Sequence, residues 1–253
     1  KENGTVGILS SVGTVYIASN NEQSRGYLNM DGGVFAATNS VLETRGDLSE
    51  VNLNGGTSYF KEIRMTGRTP AAQTTLTVRG GEHTIGSSGF NIGNSTNRSA
   101  LAIVAAGKLF CTNAELRVGY GTGTEGMNIF RQTGGEVILN YRSCYAAAVP
   151  GSRGRVELFG GTLTANRLGG GAGALASGST GRAELFADGG TFAFYPGTST
   201  TPIEKLDAAV LGAAGLTYNA GDYDTTINQA FSDADSVAGR FIKNGNGKLT
   251  LQQ

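Results

Sequence analysis

The stretch RVELFGGTLTA, residues 155–165, places alternating apolar side chains on both sides of a glycine pair. Alternation of apolar and polar residues is the period of a β-strand that buries one face. A glycine pair between two such segments is typical of a tight turn, because glycine adopts backbone conformations that other residues avoid. This stretch therefore predicts a strand, a turn and a second strand.

The same pattern recurs along most of the chain. A Gly-Gly or Ala-Gly pair returns every 23 to 29 residues, from residues 32–33 to residues 189–190. The other copies are YLNMDGGVFAA, EVNLNGGTSYF, TLTVRGGEHTI, AIVAAGKLFC, FRQTGGEVIL and AELFADGGTFAF. Between them lie polar bends such as NIGNSTNRSAL and AVPGSRGRVEL, so each period holds at least two strands and two turns. This period suits one coil of a β-solenoid, in which every strand pairs with its counterpart one coil away.

Alignment on the second glycine separates an inner from an outer set of positions. The second and fourth positions after it are mostly apolar, and they hold Phe35, Ser58, His83, Leu109, Val137, Leu163 and Phe192, then Ala37, Phe60, Ile85, Cys111, Leu139, Ala165 and Phe194. The first position is mostly polar and holds Val34, Thr57, Glu82, Lys108, Glu136, Thr162 and Thr191. We expect the apolar positions to face the interior.

Two other architectures are disfavoured by the repeats. Short strands with frequent turns also describe an antiparallel sandwich or barrel, but neither fold requires the same residue classes at the same offsets in every repeat. Only Pro202 to Leu216 could hold a short helix, and Gly212 and Gly215 limit it. We therefore predict an all-β parallel β-helix (β-solenoid) of roughly eight to ten coils.

The repeats resemble those of bacterial autotransporter passenger proteins and of large surface proteins rich in Gly-Gly-Thr motifs. The segment GLTYNAGDYDTTINQAFS, residues 215–232, followed by GRFIKNGNGKLTLQQ is similar to a passenger-associated repeat. The resemblance implies a right-handed β-helix that is extracellular or lies on the bacterial cell surface. It divides the chain into solenoid repeats over residues 1–200 and a passenger-associated-type repeat over residues 201–253 that continues the solenoid.

Composition argues against two classes of partner. Lys plus Arg and Asp plus Glu are equal at 20 each, so no net positive charge attracts a nucleic acid or an anionic membrane. No apolar run approaches the length of a membrane-spanning helix. We expect neither nucleic-acid binding nor membrane insertion.

Candidate chemistry is sparse. Glu82, Lys108 and Glu136 occupy one outer position in successive repeats, where alternating charges indicate an ion-pair ladder rather than a catalytic carboxylate pair. His83 is the only histidine, and its place in a mainly apolar column predicts a hydrogen-bonded interior or edge side chain rather than a catalytic one. Cys111 and Cys144 lie in apolar surroundings and behave as small hydrophobic residues there.

No cofactor or metal site is predicted either. The Gly-rich run at residues 168–181 lacks the lysine and hydroxyl residue that end a phosphate loop, so we interpret it as an enlarged loop. The acidic residues Asp222, Asp224, Asp233 and Asp235 do not follow a calcium-binding repeat.

Two surfaces are candidates for contacts. The third position after the glycine holds Tyr59, Phe110 and Ile138, which predict an outer apolar stripe, unless a loop or the C-terminal segment covers it. The final strand contains Lys248, Leu249, Thr250 and Leu251, and we predict an open edge there for end-to-end stacking.

These observations favour a non-enzymatic structural or adhesive protein: a surface stalk, an adhesin segment or a head-to-tail filament subunit. Expected partners are a second copy or the continuation of a longer solenoid, with a surface glycan or protein as a further candidate ligand. The alternative is a β-helix domain that binds or cleaves polysaccharide, because enzymes of that class also use this fold.

Overall fold

The computed structural model describes residues 13–18, 24–46, 48–67, 73–94, 99–121, 126–171, 181–197, 199–235 and 237–252. These residues form an all-β solenoid of about eight coils, and no helix occurs among them. Consequently, no helix of these segments is long and apolar enough to cross a membrane. The predicted fold class is confirmed, whereas its right-handed sense stays a prediction from the family resemblance.

The strands are short and follow one another with brief turns. The first eight are β1 (Thr14–Ile17), β2 (Arg25–Met30), β3 (Val34–Thr44), β4 (Leu48–Leu53), β5 (Thr57–Met65), β6 (Gln73–Val78), β7 (Glu82–Ile92) and β8 (Ser99–Val104). The next eight are β9 (Lys108–Cys111), β10 (Leu116–Val118), β11 (Asn128–Ile138), β12 (Ser143–Ala146), β13 (Arg153–Ala165), β14 (Arg167–Gly170), β15 (Arg182–Ala187) and β16 (Gly190–Phe194). The last are β17 (Ile203–Glu204), β18 (Ala208–Leu211), β19 (Leu216–Asn219), β20 (Thr225–Ile227), β21 (Ser232–Asp233), β22 (Phe241–Asn244) and β23 (Leu249–Leu251).

Parallel pairing arranges these strands in three ladders. The first ladder precedes the glycine turn and runs β2, β4, β6, β8, β11, β13, β15, β18 and β21. The second ladder follows that turn and runs through the first halves of β3, β5 and β7, then β9, the ends of β11 and β13, β16, β19 and β22. The third ladder runs β1, the second halves of β3, β5 and β7, then β10, β12, β14, β17, β20 and β23.

The glycine turn joins the first ladder to the second, and its geometry explains the repeat. The second glycine of the turn has a positive φ in successive coils, as in Gly56 (76°), Gly81 (79°) and Gly107 (75°). A Cβ on Gly81 would lie 2.3 Å from the carbonyl oxygen of Gly56 in the preceding coil. Both the backbone conformation and the space between coils therefore require glycine.

The interior is a stack of apolar columns. Leu76, Ala102, Phe130 and Val156 pair in register along the first ladder, and all of them are buried. Large and small side chains alternate there, which fills a narrow core without voids. In the second ladder the predicted inner positions are buried, apart from the half-buried Phe35 and Phe194, and the first position after the glycine is solvent-accessible. The predicted division between inner and outer positions is thus confirmed.

Residues 202–216 form strands rather than a helix. Ala209 and Leu211 of β18 pair with Leu185 and Ala187 of β15 and are buried beside them. Cross-coil pairing overrides the weak helical spacing, because the neighbouring coil supplies hydrogen-bond partners and apolar contacts. Strands of residues 201–253 therefore stack on those before them, while the division into two units at residue 200 stays a prediction.

Candidate functional site

The predicted outer stripe lies in one register row of the second ladder. Tyr59 pairs with Thr84, Thr84 with Phe110, and Phe110 with Ile138. Tyr59 is 39% exposed, and Phe110 and Ile138 are partly exposed. Thr84 separates Tyr59 from the other two, so the stripe is interrupted. Its role as a contact surface stays a prediction.

The charged outer column stacks in register as expected, but among the described residues only Lys108 and Glu136 form an ion pair in it. Glu82 pairs in register with Lys108, and Lys108 with Glu136, whose carboxylate lies 3.5 Å from the Lys108 ammonium. Both side chains of that pair are about half exposed, so solvent screens the interaction.

His83 is an interior side chain held by two hydrogen bonds. Its Nδ1 lies 2.9 Å from the Ser58 hydroxyl of the preceding coil, and its Nε2 lies 2.8 Å from the carbonyl oxygen of Gly80. Burial lowers the pKa of His83 below its usual value. The neutral ring therefore bridges two coils next to the glycine turn, as expected for an interior histidine.

The remaining sequence candidates show no reactive arrangement. Cys111 and Cys144 are buried free thiols, and burial raises the pKa of Cys111 to about 12. A buried thiol with a raised pKa is a poor nucleophile, since the thiolate is the reactive form. Among the described residues, no group of three or more His, Cys, Asp or Glu side chains is arranged to hold a metal ion.

Three of the C-terminal acidic residues accept hydrogen bonds from nearby turns or loops instead. Asp222 accepts a hydrogen bond from Asn246, Asp224 from the backbone amide of Lys248, and Asp233 from that of Gly239. Most of the Gly-rich run, residues 172–180, lies outside the described residues. Its beginning belongs to β14.

The predicted stacking edge is the last strand of the third ladder. Leu249 to Leu251 form β23, which pairs with Thr225 to Ile227 of β20 on one side. Leu251 is 63% exposed. Lys248 precedes the strand and is fixed by the Asp224 contact.

A polar groove that the sequence did not indicate lies along the outer wall of the third ladder. It has a volume of about 460 Å³. Its floor consists of outer residues of successive coils, and its walls consist of the turns between the second and third ladders. The lining residues are Glu115, Tyr141, Arg142, Ser143, Tyr145, Asn166, Arg167, Ser199, Thr200, Thr201, Glu204 and Lys205.

Arg167 lines the groove and makes several polar contacts there. Its guanidinium lies 4.9 Å from the centre of the Tyr145 ring and donates a hydrogen bond to the Tyr145 hydroxyl. It also donates to Glu204 at 2.9 Å, and Lys205 lies 3.7 Å from the same carboxylate. The Glu204 side chain is only 10% exposed, because the two cations cover it.

The walls of the groove are braced by the chain itself. Asn166 is buried and donates hydrogen bonds to the carbonyl oxygens of Tyr195 and Ser199 at 3.3 and 3.5 Å. The Ser199 hydroxyl contacts Thr201 at 3.1 and 3.2 Å. The Tyr141 ring meets the ring of Tyr195, which belongs to the same segment as Ser199, edge to face with centres 4.9 Å apart. The groove is therefore formed before any ligand arrives.

Comparisons with known proteins give no relative: no family model, no curated protein and no solved structure matches this chain. The β-solenoid fold consequently stands on the structure, and membership of the autotransporter passenger family stays a prediction.

Proposed function

We propose that this chain is a rigid extracellular β-solenoid with a structural or adhesive role on a bacterial surface, as in autotransporter passengers. The observation that supports the proposal is the parallel stacking that joins 21 strands in one sheet, with β20 and β23 paired in a second sheet that a single bridge, from Glu204 to Asn228, links to β17. A stack of this kind resists local opening, because each coil is held by backbone hydrogen bonds and apolar contacts on both sides. Such a stack presents side chains at fixed positions over a long outer wall.

The described ends of the stack support continuation by further coils. β2 pairs only with β4, and β22 only with β19, among the strands that the structure describes. Among the described residues, each therefore has one edge of backbone donors and acceptors with no paired strand. A further coil of the same polypeptide or the end of a second copy would satisfy these groups.

Antibody labelling of intact cells of the source organism tests the location. Antibodies raised against this chain should label the cells before permeabilisation. Labelling that appears only after permeabilisation would overturn an extracellular role.

Electron microscopy of the purified chain over a concentration series, with size-exclusion chromatography, tests the structural role. Fibres of uniform width and a shrinking monomer peak are expected for a filament subunit. Monomers at every concentration would contradict filament formation and leave the role of a stalk or adhesin segment. Release of reducing ends from a polysaccharide panel would instead establish the enzymatic alternative and refute the non-catalytic role.

A further inference from the structure

We propose that the polar groove beside the third ladder binds an oligosaccharide that carries a carboxylate, such as a uronic-acid oligosaccharide. The groove joins exposed cations, tyrosine rings and hydroxyl groups on a prearranged wall. This binding site would be the adhesive element of the proposed scaffold, but the scaffold role does not depend on it.

The charge that a ligand meets in the groove is positive. Glu204 is nearly covered by Arg167 and Lys205, and Glu115 is paired with Arg117 at 2.8 Å. Arg142, by contrast, is exposed, and its guanidinium donates two hydrogen bonds to the neutral amide oxygen of Asn113, at 3.1 and 2.5 Å. Its guanidinium therefore keeps an uncompensated charge and further donors, which suit a carboxylate.

The aromatic and hydroxyl groups suit a sugar ring. Tyr141 is 64% exposed, and contact with Tyr195 holds its ring in place. A fixed tyrosine offers an apolar ring face and a polar hydroxyl, which match the C–H face and the hydroxyl groups of a sugar. Ser199, Thr200 and Thr201 also line the groove and supply both donors and acceptors.

The length of the groove favours an oligosaccharide over a single ring, and the spacing of its carboxylates disfavours hydrolysis. Leu116, Cys144, Leu168 and Ile203 pair in register, so Glu115 and Glu204 stand three coils apart. At the spacing of parallel strands this is about 14 Å along the solenoid axis. Two carboxylates that cleave a glycosidic bond lie within about 10 Å of each other. These two are too far apart to share one bond.

The test compares uronic-acid oligosaccharides with their carboxyl-reduced counterparts, which have the same stereochemistry and no charge. Both sets are immobilised on an array, and the purified chain is applied to them. The best binder is then titrated in a calorimeter. We expect binding to acidic members and a loss of about tenfold or more in affinity for the reduced partner, since Arg142 loses its charge partner.

Two groove variants and two matched controls locate the site. Arg142→Gln and Tyr141→Ala should each weaken binding by about tenfold or more. Arg25→Gln and Tyr27→Ala remove the same residue types at exposed positions of β2 and should leave binding unchanged. Circular dichroism confirms that all four variants fold.

Three results would overturn the proposal: no binding to any uronic-acid oligosaccharide, equal binding of the reduced partners, or unchanged affinity in both groove variants. None of these results bears on surface labelling of intact cells. Failure of the ligand-binding proposal is therefore distinguishable from failure of the proposed scaffold role.

Discussion

Replacing Gly81 by alanine should destabilise the solenoid strongly, although it adds a single methyl group. Gly81 is the second glycine of its turn and has a φ of 79°. A Cβ there would lie 2.3 Å from the carbonyl oxygen of Gly56 and 2.8 Å from the carbonyl carbon of Gly55. Both atoms belong to the backbone of the preceding coil, so no flexible side chain can move aside.

The cost has two parts. Placing alanine at a positive φ costs about 1–2 kcal/mol. Forcing a methyl group into a packed backbone costs roughly 1–3 kcal/mol more, because the coils must separate locally. The free energy of unfolding should therefore fall by about 2–5 kcal/mol.

Substitutions at two other glycines of the chain distinguish the cost of the positive φ from the cost of the clash. Gly151 has a φ of 77°, but no atom lies within 4 Å of its added Cβ. Gly151→Ala should therefore show the conformational cost alone, about 1–2 kcal/mol. Gly32 opens the first described glycine turn, has open space around its added Cβ and is not among the positive-φ residues. Gly32→Ala should change stability by less than about 1 kcal/mol.

Urea unfolding followed by circular dichroism measures all three variants against the parent chain. Repeat proteins can unfold in parts, so the slope of each transition must be compared before free energies are derived. If Gly81→Ala costs no more than Gly151→Ala, the coil-to-coil clash does not explain the repeated glycine, and the argument from the ladder fails.

Two further predictions concern charge. Burial lowers the pKa of His83, so the unfolded state binds the proton more tightly than the folded state does. The chain should therefore lose stability as the pH falls below about 6.5, by up to about 1.4 kcal/mol per pH unit. Urea titrations at several pH values should show this loss relative to His83→Gln, and parallel curves of stability against pH for the two proteins would refute it. Lys108→Ala removes an exposed ion pair and should lower the free energy of unfolding by less than about 0.5 kcal/mol. Glu157→Gln weakens the contacts of a 6% exposed carboxylate with Arg131 and Arg155, and it should lower that free energy by roughly 1–2 kcal/mol in the same assay. Equal costs for the two substitutions would contradict the importance of burial.

The fold could be predicted from sequence because stacking converts a repeat into a physical column. Leu109, Val137 and Leu163 share one offset from their glycines, and they pair in register as buried neighbours. Because each strand pairs in parallel with its counterpart one coil away, residues at the same offset in the repeat become neighbours in the structure. The same rule placed Lys108 beside Glu136 and Ser58 beside His83.

The groove could not be predicted in this way, because its walls lie outside the aligned strands. Tyr141 and Arg142 belong to a turn between β11 and β12, and Ser199 and Thr201 to a segment between β16 and β17. Turn residues have no counterpart at a fixed offset, so alignment on the glycines assigned them no position. The one available signal was the Ser- and Thr-rich stretch at residues 198–201, close to Tyr195.

This contrast indicates where a solenoid can acquire a specific function. The glycine turn tolerates little change, since its backbone is in contact with the next coil at every step, as the Cβ distances at Gly56, Gly81 and Gly107 demonstrate. The turn between the second and third ladders varies in length, from the single residue Lys61 within β5 to the segment between β16 and β17. Described residues of the longer turn are braced by Asn166 and line the groove. Regular coils thus supply a stiff support, and the irregular turn carries residues of the proposed ligand site, which lies beside that turn rather than on the uniform faces.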